Sequence, residues 1–362
     1  MKNNKFNEVN IFARIGKTPF SSNASEVLLT NLVNELKKRK FKTKLFVFYI
    51  FNFFSNWKSF FLNYSANNMK VNKVVLSSTS IKYIRDCIYF LHIILKIIGN
   101  RSSVSFFYNL NRGQLKMISF LKFLKLDINL IQADGHLLSK SQCKLFKKII
   151  VFSKSSEVIY SSYKLNNQIL FSLPYINNLN FEYKPFLNYS NNKIIKMVHC
   201  GSISQYNLPE EDLQRIFKLF KNNKNFELFF TTSQRNIPSY FRKLLHHFPS
   251  NIKFLGNLNS KDLDILLKKS DFALDLRNKN NNLQSSIDFP SKLFFYMKYN
   301  LFIFSTISDS IPSEISSVLI PFDKLFNLDK IKFSEYSKNH AIVKKYLNNY
   351  SLDKVLVSSL EN

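Results

Sequence analysis

Short apolar runs alternate with stretches of helical period along this chain, and the alternation is gone through twice. In the first series the runs are Val9 to Ala13, KTKLFVFYIF, KVVLSS, SVSFFYN, INLIQ, IIVFS and QILFSL. Between them the spacing of apolar residues predicts helices at Ala24 to Lys38, Ile81 to Ile98, Leu110 to Leu124, Lys140 to Lys147 and Ser155 to Tyr163. The second series has the runs IIKMVHC, NFELFFTTS, NIKFLG, DFALDLR and LFIFS. Its helices are predicted at Pro209 to Phe220, Tyr240 to Phe248 and Lys261 to Lys268. Apolar strands separated by helices make βαβ units and a parallel sheet, and strands of continuous apolar character are covered on both faces. The fold class that follows is α/β, with two Rossmann-like, doubly wound parallel-sheet domains facing a cleft. Leu173 to Lys193 holds two prolines and many asparagines without a period. The expected boundaries are a first domain over 1–175, a linker over 176–193, a second domain over 194–332, and a helical tail over 333–362 that crosses back to the first.

Composition narrows the function. A length of 362 residues suffices for two domains, and 45% hydrophobic residues with 38 Phe exclude a disordered chain. The net charge of +28 comes mostly from lysines scattered through every segment among Asn, Ile and Phe. That is the bias an AT-rich genome imposes, and no nucleic-acid motif accompanies it. A basic surface favours nucleotide phosphates and anionic membranes ahead of nucleic acid. Cys87, Cys143 and Cys200 lie too far apart for a zinc motif or a disulfide framework, which fits a reducing cytoplasm. The first residues, MKNNKFNEVN, have no apolar core, so no signal peptide is expected. Cys87 to Leu95 is too short to span a bilayer. Phe51 to Lys70 contains many aromatics and the single Trp57, and reads as a membrane-interface segment, a lid on the sheet, or ordinary core.

Candidate chemistry gathers at the ends of the apolar runs, where parallel sheets bind ligands. In SSIDFPSKLFFYMKYNLFIFS, Pro290 stands where a helix begins, Leu293, Phe294, Tyr296 and Met297 face inward, and Asn300 closes the helix in the left-handed conformation. Lys292 in the first turn is mildly unfavourable there unless it meets an anion; otherwise it is a solvated lysine near Asp288. After IIKMVHC, Gly201 allows close backbone approach and Ser202 offers a hydroxyl. Arg235 and Arg277 follow later runs and, with Lys292, make a candidate diphosphate site. In the first half, Asp134 of ADGH is placed to orient His136 as a base or a binder of a substrate hydroxyl. Gly16 stands at the end of the first strand. His199 reads as a core or cleft-edge residue. His246, His247 and His340 show no metal-ligand pattern, and no Walker loop, Rossmann glycine fingerprint or nucleophile elbow is present.

The second half resembles GT-B glycosyltransferases of the bacterial group-1 type, which build capsules, O-antigens and other surface polysaccharides. GSISQYN resembles that family's first glycine-containing loop. NIKFLGNLNSKDLDILLKKSDFALDLR resembles its approach to the donor site. DFPSKLFFYMKYNLFIFS resembles a signature with a Pro-Ser-Lys helix start, a Glu–Tyr pair, then a short strand and a serine. The resemblance implies a nucleotide-sugar co-substrate held by the second domain through Gly201, Ser202, Arg235, Arg277, Asp288, Pro290, Ser291, Lys292 and Phe295. It implies a glycan or lipid-linked glycan acceptor held by the first domain near Gly16, with Asp134 and His136. It further implies a retaining outcome, no tightly bound cofactor and no metal. The chain departs from the pattern in two places: Phe295 stands where the family has a glutamate for the donor's ribose, and GSISQYN lacks the usual Arg and Lys. Phe295 either stacks on a base or sugar or fills a site that no longer binds donor. The alternative function is therefore a non-catalytic GT-B-like subunit that binds a partner enzyme or glycan.

Overall fold

A computed structural model of the chain describes residues 8–14, 24–51, 65–66, 69–70, 72–77, 91, 93–95, 97–99, 103–110, 112–121, 126–133, 137–175, 194–232, 237–278, 290, 292–306, 311–338 and 340–361. The linker expected over 176–193 and nearly all of Phe51 to Lys70 lie outside them. The chain divides into two compact units, Met1–Asn177 with Asn349–Asn362, and Asn178–Asn348.

Among the described residues the main sheet of the first unit has seven strands: β1 (Glu8–Arg14), β2 (Lys42–Phe51), β3 (Asn72–Ser77), β4 (Val104–Tyr108), β5 (Ile128–Gln132), β6 (Lys148–Val151) and β7 (Gln168–Phe171). They lie in the order β3-β2-β1-β4-β5-β6-β7, and every pairing is parallel. The chain winds one way from β1 and then returns to wind the other way, which is the doubly wound pattern. Every residue of β4 and β5 is buried, as strands covered on both faces require. Helix α1 (Ala24–Lys38) covers the sheet with Leu29, Leu32, Val33 and Leu36, one stripe at helical spacing. In α2 (Lys154–Ser162), Ser153 caps the first turn by accepting from the Ser156 N–H, and Tyr160 is wholly buried.

The second unit repeats the scheme. Its strands are β8 (Ile195–Cys200), β9 (Phe226–Thr231), β10 (Ile252–Gly256), β11 (Phe272–Asp275), β12 (Phe302–Ser305) and β13 (Leu319–Pro321). The order is β10-β9-β8-β11-β12-β13, again parallel throughout. The sequence reading ends this series at LFIFS; the structure adds β13, a three-residue strand too short to show as an apolar run. Helix α3 (Glu210–Asn222) buries Leu213, Ile216 and Phe220 and opens on Glu210, Glu211 and Asp212, charges that suit the positive end of the helix dipole. Helix α4 (Lys292–Lys298) buries Leu293, Phe294, Tyr296 and Met297, the inward face expected of it. Asn300 takes φ +53°, and the Leu301 N–H reaches back to Tyr296 O at 3.3 Å, a Schellman-type stop.

The last helix, α5 (Leu352–Glu361), belongs to the first unit. Leu173 N donates to Tyr350 O and Leu352 N to Tyr175 O, both at 2.8 Å. Arg39, just past α1, pairs with the fully buried Asp353 at 2.7 Å. Lys148 donates to Ser359 O.

Candidate functional site

The strand order of the second unit reverses between β8 and β11, and the carboxyl ends at such a reversal are where open α/β sheets take ligands. Gly201 leaves β8 with φ +125°, a backbone that side-chain-bearing residues rarely adopt. It is exposed. A Cβ built on it would meet Lys292 Cδ at 3.9 Å, so the lysine stem lies alongside the glycine.

Lys292 is not a free surface charge. Its Nζ stands 3.2 Å from Asp275 Oδ1, and the two side chains are 19% and 1% exposed. This is an ion pair without the alignment of a hydrogen bond. Ser305 Oγ donates to the other carboxylate oxygen at 3.4 Å. Asp275 and Ser305 end β11 and β12 and are partners in register, so the sheet itself sets the anion beneath the lysine.

Tyr296 holds this arrangement to β8. Its hydroxyl accepts from the Cys200 N–H at 2.8 Å and lies 3.2 Å from Cys200 O. Burial raises the Tyr296 hydroxyl well above its usual range and pushes the Cys200 thiol up to about 12, so neither serves as a nucleophile. His199 is wholly buried, with Nδ1 3.2 Å from Leu274 O. Burial first, and the Lys292 charge second, lower its pKa to about 3. It is neutral at physiological pH and belongs to the core. Phe295 is half-buried and packs edge-on against Tyr299, with ring centroids 5.6 Å apart.

Arg277 stands two residues beyond Asp275. Its Nη1 donates to Tyr206 Oη at 3.3 Å and its guanidinium lies 5.6 Å from that ring's centroid. Its backbone N–H donates to Thr306 Oγ1 at 2.7 Å, and Asn278 N donates to Tyr206 O at 2.8 Å. The loop after β8 is thereby tied to the loop after β11. Ser202 Oγ accepts from Asn207 Nδ2 at 2.5 Å within the same loop. Next to Arg277 is a cavity of about 410 Å³ lined by Gln205, Glu210, Glu211, Thr306 and Asp323 among others. Glu210, Glu211, Asp212 and Asp323 line it against two guanidiniums, Arg215 and Arg277, so its charge is mixed with an acidic excess.

Of the residues singled out in the sequence, Gly201 and Lys292 come together. Arg277 joins Ser202 through the loop that carries Tyr206. Pro290 is buried just ahead of α4, and Phe295 packs within that helix. Gly16, Asp134, His136, Arg235, Asp288 and Ser291 lie outside the described residues. Sequence reasoning missed Asp275, Tyr206 and the Tyr296 hydroxyl. Asp275 left a signal, a carboxylate flanked by apolar residues within FALDL, after the Asp271 that opens DFALDLR. Among the described residues no three His, Cys, Asp or Glu side chains converge as metal ligands, and no helix is long and apolar enough to cross a membrane.

No protein-family model matches the chain, and no curated protein matches it by sequence. Solved structures do. A glycosyltransferase from Rickettsia africae aligns over 98% of both chains, with a TM-score of 0.65 and 13% identity. The chain has the GT-B fold. Trehalose-6-phosphate from E. coli bound with UDP-2-fluoro glucose aligns over 98% of this chain and 99% of its own, with a TM-score of 0.63 and 9% identity. A lipopolysaccharide outer core galactosyltransferase aligns over 96% and 98%, with a TM-score of 0.59 and 11% identity. The GT-B fold of this chain is carried by its two Rossmann-like units.

Proposed function

We propose that this chain is a glycosyltransferase that moves a sugar from a nucleotide-sugar donor to a lipid-linked surface glycan, with retention at the anomeric carbon. The observation that carries the reading is Gly201, exposed at φ +125° at the reversal between β8 and β11 with Lys292 alongside. Backbone without a side chain and a cation beside it suit a diphosphate. An ammonium has three N–H donors, so Lys292 bridges Asp275 and a phosphate oxygen at once. Arg277 adds a second cation, and Arg235 a third. On this reading the acceptor hydroxyl falls to Asp134 and His136 and the acceptor side to Gly16, as the family resemblance implies. Transfer breaks the bond from sugar C1 to the diphosphate oxygen and joins C1 to the acceptor oxygen, whose proton passes to His136 as the base of this reading. Lys292 and Arg277 stabilise the charge left on the diphosphate, and the reading includes no tightly bound metal or cofactor. The neighbours bound with UDP-2-fluoro glucose and acting on the lipopolysaccharide outer core support the donor and acceptor classes. The reaction is placed on the inner face of the cell membrane.

A second reading, a non-catalytic GT-B-like subunit, is favoured by Phe295. That ring packs on Tyr299 where the resembling family has a glutamate.

The test is thermal shift against UDP, GDP, ADP and CMP. One nucleotide class should raise the melting temperature of the wild type, and Lys292→Gln with Asp275→Asn should abolish the rise. The double change is used because removing the lysine alone strands a buried carboxylate. No rise with any nucleotide, and no gain from Phe295→Glu, would leave the subunit reading standing.

A further inference from the structure

His199 occupies a place in the second unit where an aliphatic side chain would cost less. Side chains alternate along a strand, so it falls on the face of Met197, in the apolar layer that also holds Phe230, Phe272 and Leu274. It is wholly buried, and its ring centroid is 5.9 Å from that of Phe230. Burying an imidazole there costs desolvation, and Nε2 has no aligned hydrogen-bond partner. A polar ring kept at that cost, at the end of a strand where ligands bind, marks a role beyond filling space.

Two backbone groups act on the ring. One is Leu274 O on β11, 3.2 Å from Nδ1. The other belongs to Ser202, in the loop that leaves β8. Nδ1 faces the sheet, so Nε2 is the nitrogen left to serve the loop. That loop starts at Gly201, with φ +125°. Glycine has few steric limits and does not fix its own conformation; its neighbours must. Gly201 N donates to Thr231 O at 3.0 Å. The Tyr296 hydroxyl holds Cys200, the residue before. Asn207 Nδ2 donates to Ser202 Oγ. None of these three bonds reaches the Ser202 main chain, and His199 acts on it directly. We propose that His199 is a positioning residue for the anion site: from the core side its ring sets the Ser202 backbone, and with it the path of Gly201 and Ser202 past Lys292. The proposal rests on the diphosphate reading of that site.

The experiment is titration calorimetry of the full chain with UDP, GDP, ADP and inorganic pyrophosphate, with melting temperatures measured alongside. An Asn amide reaches the place of Nδ1 and a Gln amide that of Nε2, and each both donates and accepts. His199→Leu fills the core without a polar atom and should melt at or above the wild-type temperature, while its affinity for the diphosphate falls about tenfold or more. His199→Asn keeps the contact to Leu274 O and should lose affinity likewise. His199→Gln should bind within about threefold of wild type. A residue that only fills the core would not give this rescue by Gln alone. Equal affinity in wild type and His199→Leu overturns the proposal, as does His199→Gln binding no better than His199→Asn. If His199→Leu fails to fold, the comparison of Gln with Asn decides. A wild type that binds none of the four compounds overturns the diphosphate reading and this proposal with it, whereas a wild type that binds while the variants bind equally overturns the proposal alone.

Discussion

The two sheets share one strand order and differ in the chemistry at their strand ends. In the first unit, Tyr160 Oη donates to Gln132 Oε1 at 2.7 Å and accepts from the Leu138 N–H at 2.9 Å. Burial pushes its hydroxyl up to about 12, so this network at the end of β5 is neutral. In the second unit the same region of the fold holds an ion pair, Lys292 with Asp275, over a buried neutral histidine. A satisfied neutral network contributes to stability. A buried carboxylate that depends on one lysine is expensive to desolvate and is weak evidence for stability. Groups of that kind gather where a protein does its chemistry. One topology therefore serves twice, and at the strand ends only the second unit carries a buried lysine–aspartate pair among the described residues.

The largest effect that tests this contrast is Lys292→Ala. It leaves Asp275 buried without its cation, so stability should fall by about 4 kcal/mol. Urea unfolding followed by hydrogen exchange should place the loss in the second unit. Restoration by adding Asp275→Asn would confirm the cause, and a loss below about 1 kcal/mol would mean the pair is unimportant.

The counterpart in the first unit is Arg39→Ala, which takes the guanidinium away from the buried Asp353 and should cost about 3 kcal/mol. Increased exchange confined to α5 and α1 is the expected signature, and unaltered exchange there would show that the pair does not hold α5.

The third effect is a dependence on pH. His199 is held near 3 in the folded protein, below the usual 6.5 of an unfolded histidine. The unfolded chain therefore binds the extra proton. The contribution is fully present above pH ~6.5 and is lost as pH falls toward the folded value, by about 2 kcal/mol between pH 7 and 5. Urea midpoints of wild type and His199→Gln should converge in their pH dependence once that term is subtracted. Equal slopes before subtraction would remove His199 from the account.

The smallest effect belongs to the neutral network. Tyr160→Phe removes one acceptor and one donor and should cost about 1–2 kcal/mol, with no dependence on pH between 5 and 7. A dependence there would blur the contrast between the units.

Much of the fold was legible because its signals are local. Leu293, Phe294 and Met297 fall at helical spacing, and Asn300 supplies the left-handed stop. The strands β8, β9, β11 and β12 announce themselves as apolar runs. What could not be read arises from pairing across the sheet. Asp275 meets Lys292 because β11 and β12 lie side by side in register, and 17 residues of sequence separate the two charges. β13 is a three-residue edge strand paired only with β12, too short to show a period. At the candidate site, Gly201 and Lys292 were visible by residue type. Tyr206 was not, because its role depends on a loop folding back onto Arg277.

The placement of α5 also sets an order of events during synthesis. Arg39 and Asp353 are 314 residues apart in the chain. At a ribosomal pace of roughly 5–20 residues per second, the aspartate emerges roughly 15 to 60 s after the arginine. The second unit, whose last residue is Asn348, is translated whole before α5 exists. The half that begins first is therefore the half that finishes last.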